Sequence, residues 1–373
     1  MTCDIAKFKE DLWSGCLSRR DFKRALASAG LVMSTVPLAS RPARAESDHP
    51  TFFLWAGYEV PELIPAYIEK YGSPPEYSLF GDEDEALAKM AAGFTPDLTF
   101  PCSYKVQKWH DAGFLGAIDP AKLSHWDDIF PSLRTMDVVE IGGETVWVPI
   151  DWGQTSVLYR TDLAPDYVGN ESWNILWDEK YAGRLAMFDS LIDGVAVAAI
   201  MVGVDPFNFG PGEDMEKVRV KLKEQLPLLR FYSNDLTSME QGLASGELVA
   251  MAAWNSSFVN LKKQGLPVAF MNPKEGAMTW VCGLSIVKGS EKLDMTHDLI
   301  DAVLDPRSRA WEIENFGYGS STKGGFDGVS DELLQSLGLP RDPEPLLASG
   351  IFQAPMPHEA EISTMFEEVK AGV

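Results

Sequence analysis

Four cysteines and five histidines in 373 residues leave little from which to build a metal centre. Cys3 and Cys16 lie near the N-terminus, Cys102 and Cys282 stand far apart, and His49, His110, His125, His297 and His358 are scattered. No C-x-x-C or H-x-x-x-H spacing occurs, so no metal and no cofactor are expected. The chain also lacks a phosphate-cradling Walker loop, a dinucleotide glycine fingerprint and a G-x-S-x-G elbow. Basic residues are scarce, 32 Lys and Arg against 55 Asp and Glu, a net charge of −23. Such a field repels nucleic acid and anionic membranes and draws in cationic solutes, although solubility in a salty medium would account for it as well. Repeats and low-complexity tracts are absent too.

The one sustained apolar run before the folded part sits at residues 25–38, after Ser18-Arg19-Arg20-Asp21-Phe22-Lys23 and before Ala43-Arg44-Ala45. Paired arginines, a short apolar stretch diluted by Ser, Gly and Pro, and a small-x-small site read as a twin-arginine export signal over residues 1–45, cleaved after Ala45. The run is too short to span a bilayer comfortably, and no later stretch approaches a span. Removing this segment takes away eight basic and four acidic residues, leaving 24 against 51 and a net charge of −27. It also removes Cys3 and Cys16. In an oxidising compartment Cys102 and Cys282 are as open to pairing as to remaining free, because the sequence does not show how close they come.

The remaining length and its composition, 45% hydrophobic and 23% charged, suit two cores rather than one. Thr51 to Trp55 reads as a buried strand, Pro61 to Tyr71 and Asp82 to Gly93 as helices, and Thr95 to Pro101 as a strand delivering Cys102-Ser103-Tyr104 to the next helix. A hairpin turns at Gly142-Gly143. Pro149 to Arg160, with Asp151-Trp152-Gly153, reads as a crossover. Trp173 to Tyr181 is expected to be helical. Arg184 to Phe188 is a strand, and Asp189-Ser190 opens a long apolar helix running to about Val202, where capping is the simplest role for whichever of the two sits at the N-cap. Thr237 to Ala244 is a helix, Val249 to Asn255 a small-residue strand ending in Trp254, and Thr279 to Val287 a β-branched strand that puts Trp280 and Cys282 on one face. Helices follow at 294–304, 305–315, 331–337 and 359–371. Strand and helix alternate twice over, which predicts an α/β protein of two lobes.

Aromatic residues recur at strand ends: Trp55, Tyr58, Tyr104, Trp152, Trp254, Trp280 and Tyr318. Loops at that edge of an α/β sheet form ligand crevices. Ring faces suit an organic cation, at roughly 0.5–2 kcal/mol per good contact. Core burial is the alternative for each ring, Trp152 and Tyr318 above all.

Taken in order, Leu54-Trp55-x-x-Tyr58, Pro101-Cys102-Ser103-Tyr104, Trp152-Gly153, Met251-Ala252-Ala253-Trp254-Asn255, Pro273-Lys274-Glu275-Gly276 with Trp280, and Asn315-Phe316-Gly317-Tyr318 resemble the periplasmic spermidine/putrescine-binding proteins from about Phe52 onward. The resemblance implies a two-lobed periplasmic-binding-protein fold of the type II kind with the ligand in the cleft between lobes. It implies lobe 1 over 46–153 plus about 278–318 and lobe 2 over 154–277 plus about 319–373. It also implies delivery of the ligand to an inner-membrane ABC permease and ATPase by a periplasmic, monomeric protein that does not itself span the membrane. The family's ligand box falls on Trp55, Tyr58, Cys102, Tyr104, Trp254, Trp280 and Tyr318, with Ser103 and Trp152 beside it and Gln353 near another polar contact. Its three acidic positions read Ser190, Asp193 and Cys282, so only Asp193 keeps its charge. Loss of two carboxylates, each worth several kcal/mol to a desolvated ammonium, implies an organic amine with fewer free ammonium groups than spermidine. Asp151 and Asp189 are candidates for replacement charge, and a Cys102–Cys282 disulfide across one end of the pocket becomes a specific expectation.

The second reading is an exported enzyme on the same fold with Cys102 or Cys282 as nucleophile, as in thiamine-degrading enzymes. A reactive thiolate needs a base or helix N-terminus to lower its pKa, and no histidine is placed to help. Metal capture would require a tyrosine pair and carboxylates that a tryptophan-rich pocket does not offer.

Overall fold

The computed structural model describes residues 48–373, and the export signal expected over residues 1–45 lies outside the described residues. Strand β1 (Thr51–Trp55) buries Phe52, Phe53 and Leu54 and pairs in parallel with β2 (Glu76–Phe80) and β3 (Leu98–Thr99). The Gly142-Gly143 turn joins the short strands β4 (Glu140–Ile141) and β5 (Glu144–Thr145). The molecule is then organised around two long antiparallel strands, β6 (Val148–Arg160) and β11 (Met278–Ile286). Every residue of β11 is buried, as its unbroken apolar and β-branched run demands. Its C-terminal end pairs with β3, and the rest pairs with β6. On the other side of β6 lie β9 (Ala250–Trp254), β7 (Leu185–Met187) and β8 (Leu229–Tyr232), giving the order β2-β1-β3-β11-β6-β9-β7-β8. β10 (Val268–Phe270) and β12 (Gly319–Ser320) add to β6, and β13 (Ile351–Phe352) adds in parallel to the start of β11.

Helices follow most strands. Asp82 caps α1 (Glu83–Ala91) by accepting from the N–H groups of Asp84 and Glu85. α2 (Ser103–Asp111) starts directly after Cys102. α3 (Ala196–Met201) is entered through a wide π-type turn, Leu191–Val195. α4 (Leu236–Ser245) is capped by Asp235, and α5 (Asn255–Lys263) follows Trp254 without a break. α6 (Leu293–Leu304), α7 (Pro306–Phe316) and α8 (Glu359–Lys370) complete the set that matters for the site.

The side chains pack into three clusters. One gathers Phe52, Trp109, Trp147, Trp152 and Ile313, and also Phe326, Leu334, Leu339 and Leu347. A second holds Val157, Tyr159, Trp173, Met187 and the small residues Ala250 to Ala253. A third sets Val195 and Val218 against Ile362 and Phe366 of α8. Phe326, Leu334, Leu339 and Leu347 thus share a cluster with residues of β1 and β3, and Ile362 and Phe366 belong to another.

Several elements differ from expectation for local reasons. The helix expected over 61–71 breaks at Ile64 into a 3-10 turn and a helix from Pro65, because Pro65 forces the residue before it out of helical geometry. The stretch from Trp173 to Tyr181 forms two 3-10 turns. Strands β2 and β13 were not anticipated: the first is a polar, half-buried edge strand and the second is two residues long. Among the described residues no helix is long and apolar enough to cross a membrane.

Candidate functional site

A cavity of about 420 Å³, within the range of small-molecule sites, opens where β1 and β9 end, beside Trp280 and Cys282 within β11. Trp55, Tyr58, Cys102, Tyr104, Asp193, Trp254, Trp280, Cys282, Tyr318 and Gln353 line it. Each ring is fixed from behind. Trp55 donates its indole N–H to the Phe100 carbonyl at 3.0 Å. Gly57, with φ of 100°, makes the turn that brings Tyr58 back over the strand end. The Trp280 ring meets Tyr318 edge-on at 4.7 Å between centroids, and Trp254 stacks on Phe188 at 5.1 Å. Gly153, opposite Trp280 on β6, leaves the space the indole occupies, since a Cβ there would fall inside the ring.

Asp193 is the buried charge of the cavity. The π-type turn places it there, and Gly194 makes the turn feasible because any side chain at that position would run into the Phe188 carbonyl. Its carboxylate accepts from the Thr155 hydroxyl at 2.7 Å, the Gln353 amide at 2.8 Å and the Ser190 hydroxyl at 3.3 Å, with the Trp254 indole nearby as a further donor. Burial pushes the Asp193 pKa up, and these donors pull it back. Among the described residues no lysine or arginine pairs with it. Gln353 is held in turn by its backbone N–H on the Thr279 carbonyl, at 2.8 Å.

Cys102 and Cys282 form a disulfide, facing one another across an antiparallel bridge between the end of β3 and β11. Behind it the Cys102 N–H donates to Glu83 at 2.7 Å. Burial pushes the Glu83 carboxyl up to about 7, against the pull of the Tyr104 hydroxyl and that N–H.

Three expected site residues stand elsewhere. Trp152 is core: it points to the opposite face of β6 from Asp151 and Gly153 and donates to the Ser320 carbonyl at 3.1 Å. Ser103 is buried in the first turn of α2 and does not line the cavity. Ser190 caps the turn that carries Asp193 and faces a second, larger cavity of about 920 Å³. The two candidates for replacement charge are also displaced. Asp189 is exposed and paired with Lys370 of α8 at 2.6 Å. Asp151 is fully buried behind the ring wall, where it accepts from the Tyr58 hydroxyl at 2.6 Å beside Arg309 and Glu312; burial pushes both carboxyls up, and the Arg309 guanidinium pulls them down.

The second cavity shares Trp55, Tyr104, Asp193 and Trp254 with the first. Asp82, Glu83, Asp84, Asp111, Asp189, Glu359 and Glu367 line it against only Lys105 and Lys108, so the approach is acidic. Lys105 of α2 spans this mouth, reaching Asp84 at 2.9 Å and Glu359 of α8 at 2.8 Å. Among the described residues no group of three or more His, Cys, Asp or Glu could hold a metal ion.

Thr155, Glu240, Ser256, Asn260, Asn315 and Phe316 belong to the site or its second layer and were not expected. Asn315 and Phe316 were within reach, since they precede Tyr318 in the quoted motif.

The architecture matches solved structures of the periplasmic-binding-protein fold. The spermidine/putrescine ABC transporter substrate-binding protein PotD from Streptococcus pneumoniae superposes with a TM-score of 0.72 at 19% identity, covering 86% of this chain and 98% of that one. By sequence, the spermidine/putrescine-binding periplasmic protein of Escherichia coli is 24% identical over 357 residues, 95% of this chain and 99% of the relative. The putrescine/agmatine-binding protein of Pseudomonas aeruginosa is 24% identical over 335 residues, 84% of this chain and 89% of the relative. The family model for bacterial extracellular solute-binding proteins matches residues 76–333, more than half of the chain. With an aromatic cavity at the strand ends of the same fold, the chain belongs to the bacterial extracellular solute-binding protein family.

Proposed function

We propose that this chain is the ligand-capturing subunit of an ABC importer for a polyamine-like or other organic amine. The observation that carries the reading is the aromatic cavity with Asp193 buried in it and, among the described residues, no cation paired with that carboxylate. A desolvated carboxylate amid ring faces is complementary to an ammonium and costly beside anything neutral. The names of the relatives, which bind spermidine, putrescine or agmatine, support the amine class.

In this reading the ligand contacts are Trp55, Tyr58, Tyr104, Asp193, Trp254, Trp280, Tyr318 and Gln353, with the Cys102–Cys282 disulfide closing one end. The lobes follow the packing clusters: about 49–153 with 279–347 in one, and 154–278 with 351–373 in the other. They close on the amine and open to release it to an inner-membrane permease and its ATPase. The protein works in the periplasm as a monomer freed of residues 1–45. It performs no chemistry on its ligand: with Cys102 and Cys282 joined, neither presents the thiolate that a nucleophilic mechanism requires.

Thermal melts of the mature protein against a panel of mono-, di- and triamines, amino acid derivatives and methylated amines test this. One compound class is expected to raise the midpoint, by an amount that grows with concentration. A panel without a single shift, or product formation that Cys102→Ala abolishes, overturns the reading.

A further inference from the structure

The cavity carries a second carboxylate that the family motifs do not mark. Glu240, on α4, lines it together with Ser256 and Asn260 of α5 and with Phe316 and Tyr318. Its situation differs from that of Asp193, whose Oδ1 accepts two firm donors, Thr155 at 2.7 Å and Gln353 at 2.8 Å, while Oδ2 has the Ser190 hydroxyl at 3.3 Å. Glu240 faces only the Asn260 amide, at 3.4 and 3.5 Å, and the Ser257 hydroxyl nearby; among the described residues no basic side chain pairs with it. Contacts of that length are at the limit of a hydrogen bond, so its acceptor capacity is spare. It is only half-buried and lies within reach of solvent, and a ligand that covered it without bringing a donor would leave it unpaired.

The two acids stand on different elements of the wall: Asp193 in the turn that enters α3, against Thr155 and Gln353, and Glu240 on α4, beside Asn260 of α5. A molecule filling a cavity of about 420 Å³ passes both.

We propose that Glu240 is the second ligand-anchoring carboxylate of this pocket, binding one cationic group of an amine whose other cationic group is held at Asp193. The proposal rests on the amine reading and narrows it: the charge absent at Ser190 and Cys282 is supplied from α4, a different element. The preferred ligand is therefore an aliphatic amine with two cationic groups. A third ammonium would find no further carboxylate among the cavity's lining residues.

The test titrates putrescine and 1-butylamine, equal in carbon chain and different by one ammonium, into the mature protein and into Glu240→Gln. The wild type is expected to prefer putrescine by at least tenfold, and Glu240→Gln to lose most of that preference while its affinity for 1-butylamine changes less than twofold. A folding defect would lower both affinities together, so the ratio isolates the carboxylate. If the wild type binds putrescine and Glu240→Gln keeps the same ratio, the proposal is overturned and the amine reading stands. If the wild type binds neither amine nor any compound of the panel, both fall.

Discussion

Glu83 sits behind the disulfide, 3% exposed, with the Cys102 N–H as its one partner of firm geometry. Its carboxyl, pushed by burial from 4.5 up to about 7, holds its proton more tightly in the folded chain than in the unfolded one. A raised folded pKa contributes stability that is fully present below pH 4.5 and is lost as pH rises through about 7. The change across that window is on the order of 3 kcal/mol at most. Glu83→Gln keeps the acceptor for Cys102 and removes the titration. Denaturant unfolding from pH 4 to 8 is therefore expected to show a steeper loss of stability for the wild type than for Glu83→Gln; parallel profiles would mean that Glu83 does not titrate in this range. The consequence for the site is direct, because Glu83 positions the turn that presents Cys102 and Tyr104.

At the scale of elements, the entrance turn of α3 is tightly constrained. Its wide geometry turns Asp193 inward, and Gly194 backs onto the Phe188 carbonyl with no room for a methyl group. π-type turns of this kind recur at functional sites. Gly194→Ala is expected to force the turn to rearrange and carry Asp193 away from Thr155 and Gln353. The expected loss is at least tenfold in amine affinity, with about 1–3 kcal/mol of stability, measured by titration and denaturant unfolding. Unchanged affinity in a folded variant would show that the turn does not set the position of the carboxylate.

The same turn marks how much was legible in the sequence. Strand β11 was readable because its apolar run has one interpretation, and the period of two put Trp280 and Cys282 on one face. That period also separates Trp152 from Asp151 and Gly153 on β6, so the burial of Trp152 follows once the register opposite Trp280 is known; the register itself is a tertiary fact. Glu240 was illegible for a different reason. An acidic residue on an amphipathic helix reads as a solvated face, and only the packing of α4 beside α5 turns it toward the cavity. Thr155 reads as an ordinary strand residue until the Asp193 turn meets it. The two-residue strand β12, which returns the chain to β6, carries no periodicity that could mark it in the sequence.

For the whole molecule, β6 and β11 run through the first two packing clusters, and Trp280 and Cys282, within β11, face the cavity. Two polar pairs flank the cavities: the Tyr318 hydroxyl meets Ser256 at 2.9 Å, and Lys105 joins α2 to Glu359 of α8. In the proposed lobe closure these pairs would break as the lobes part and re-form when a ligand draws them together. The acidic approach lined by Asp82, Asp84 and Asp189 concentrates cations at the mouth, so association of a charged amine is expected to slow as salt rises.

The central claim is reversible capture of an organic amine without chemistry. Titration calorimetry of the mature protein with the amine that most raises its melting midpoint, followed by mass spectrometry of the recovered compound, tests it most directly. One amine bound per chain, with a negative heat-capacity change and complete recovery of unaltered amine, is the result predicted. No binding heat with any amine at any temperature tried, or recovery of a chemically altered compound, would contradict it.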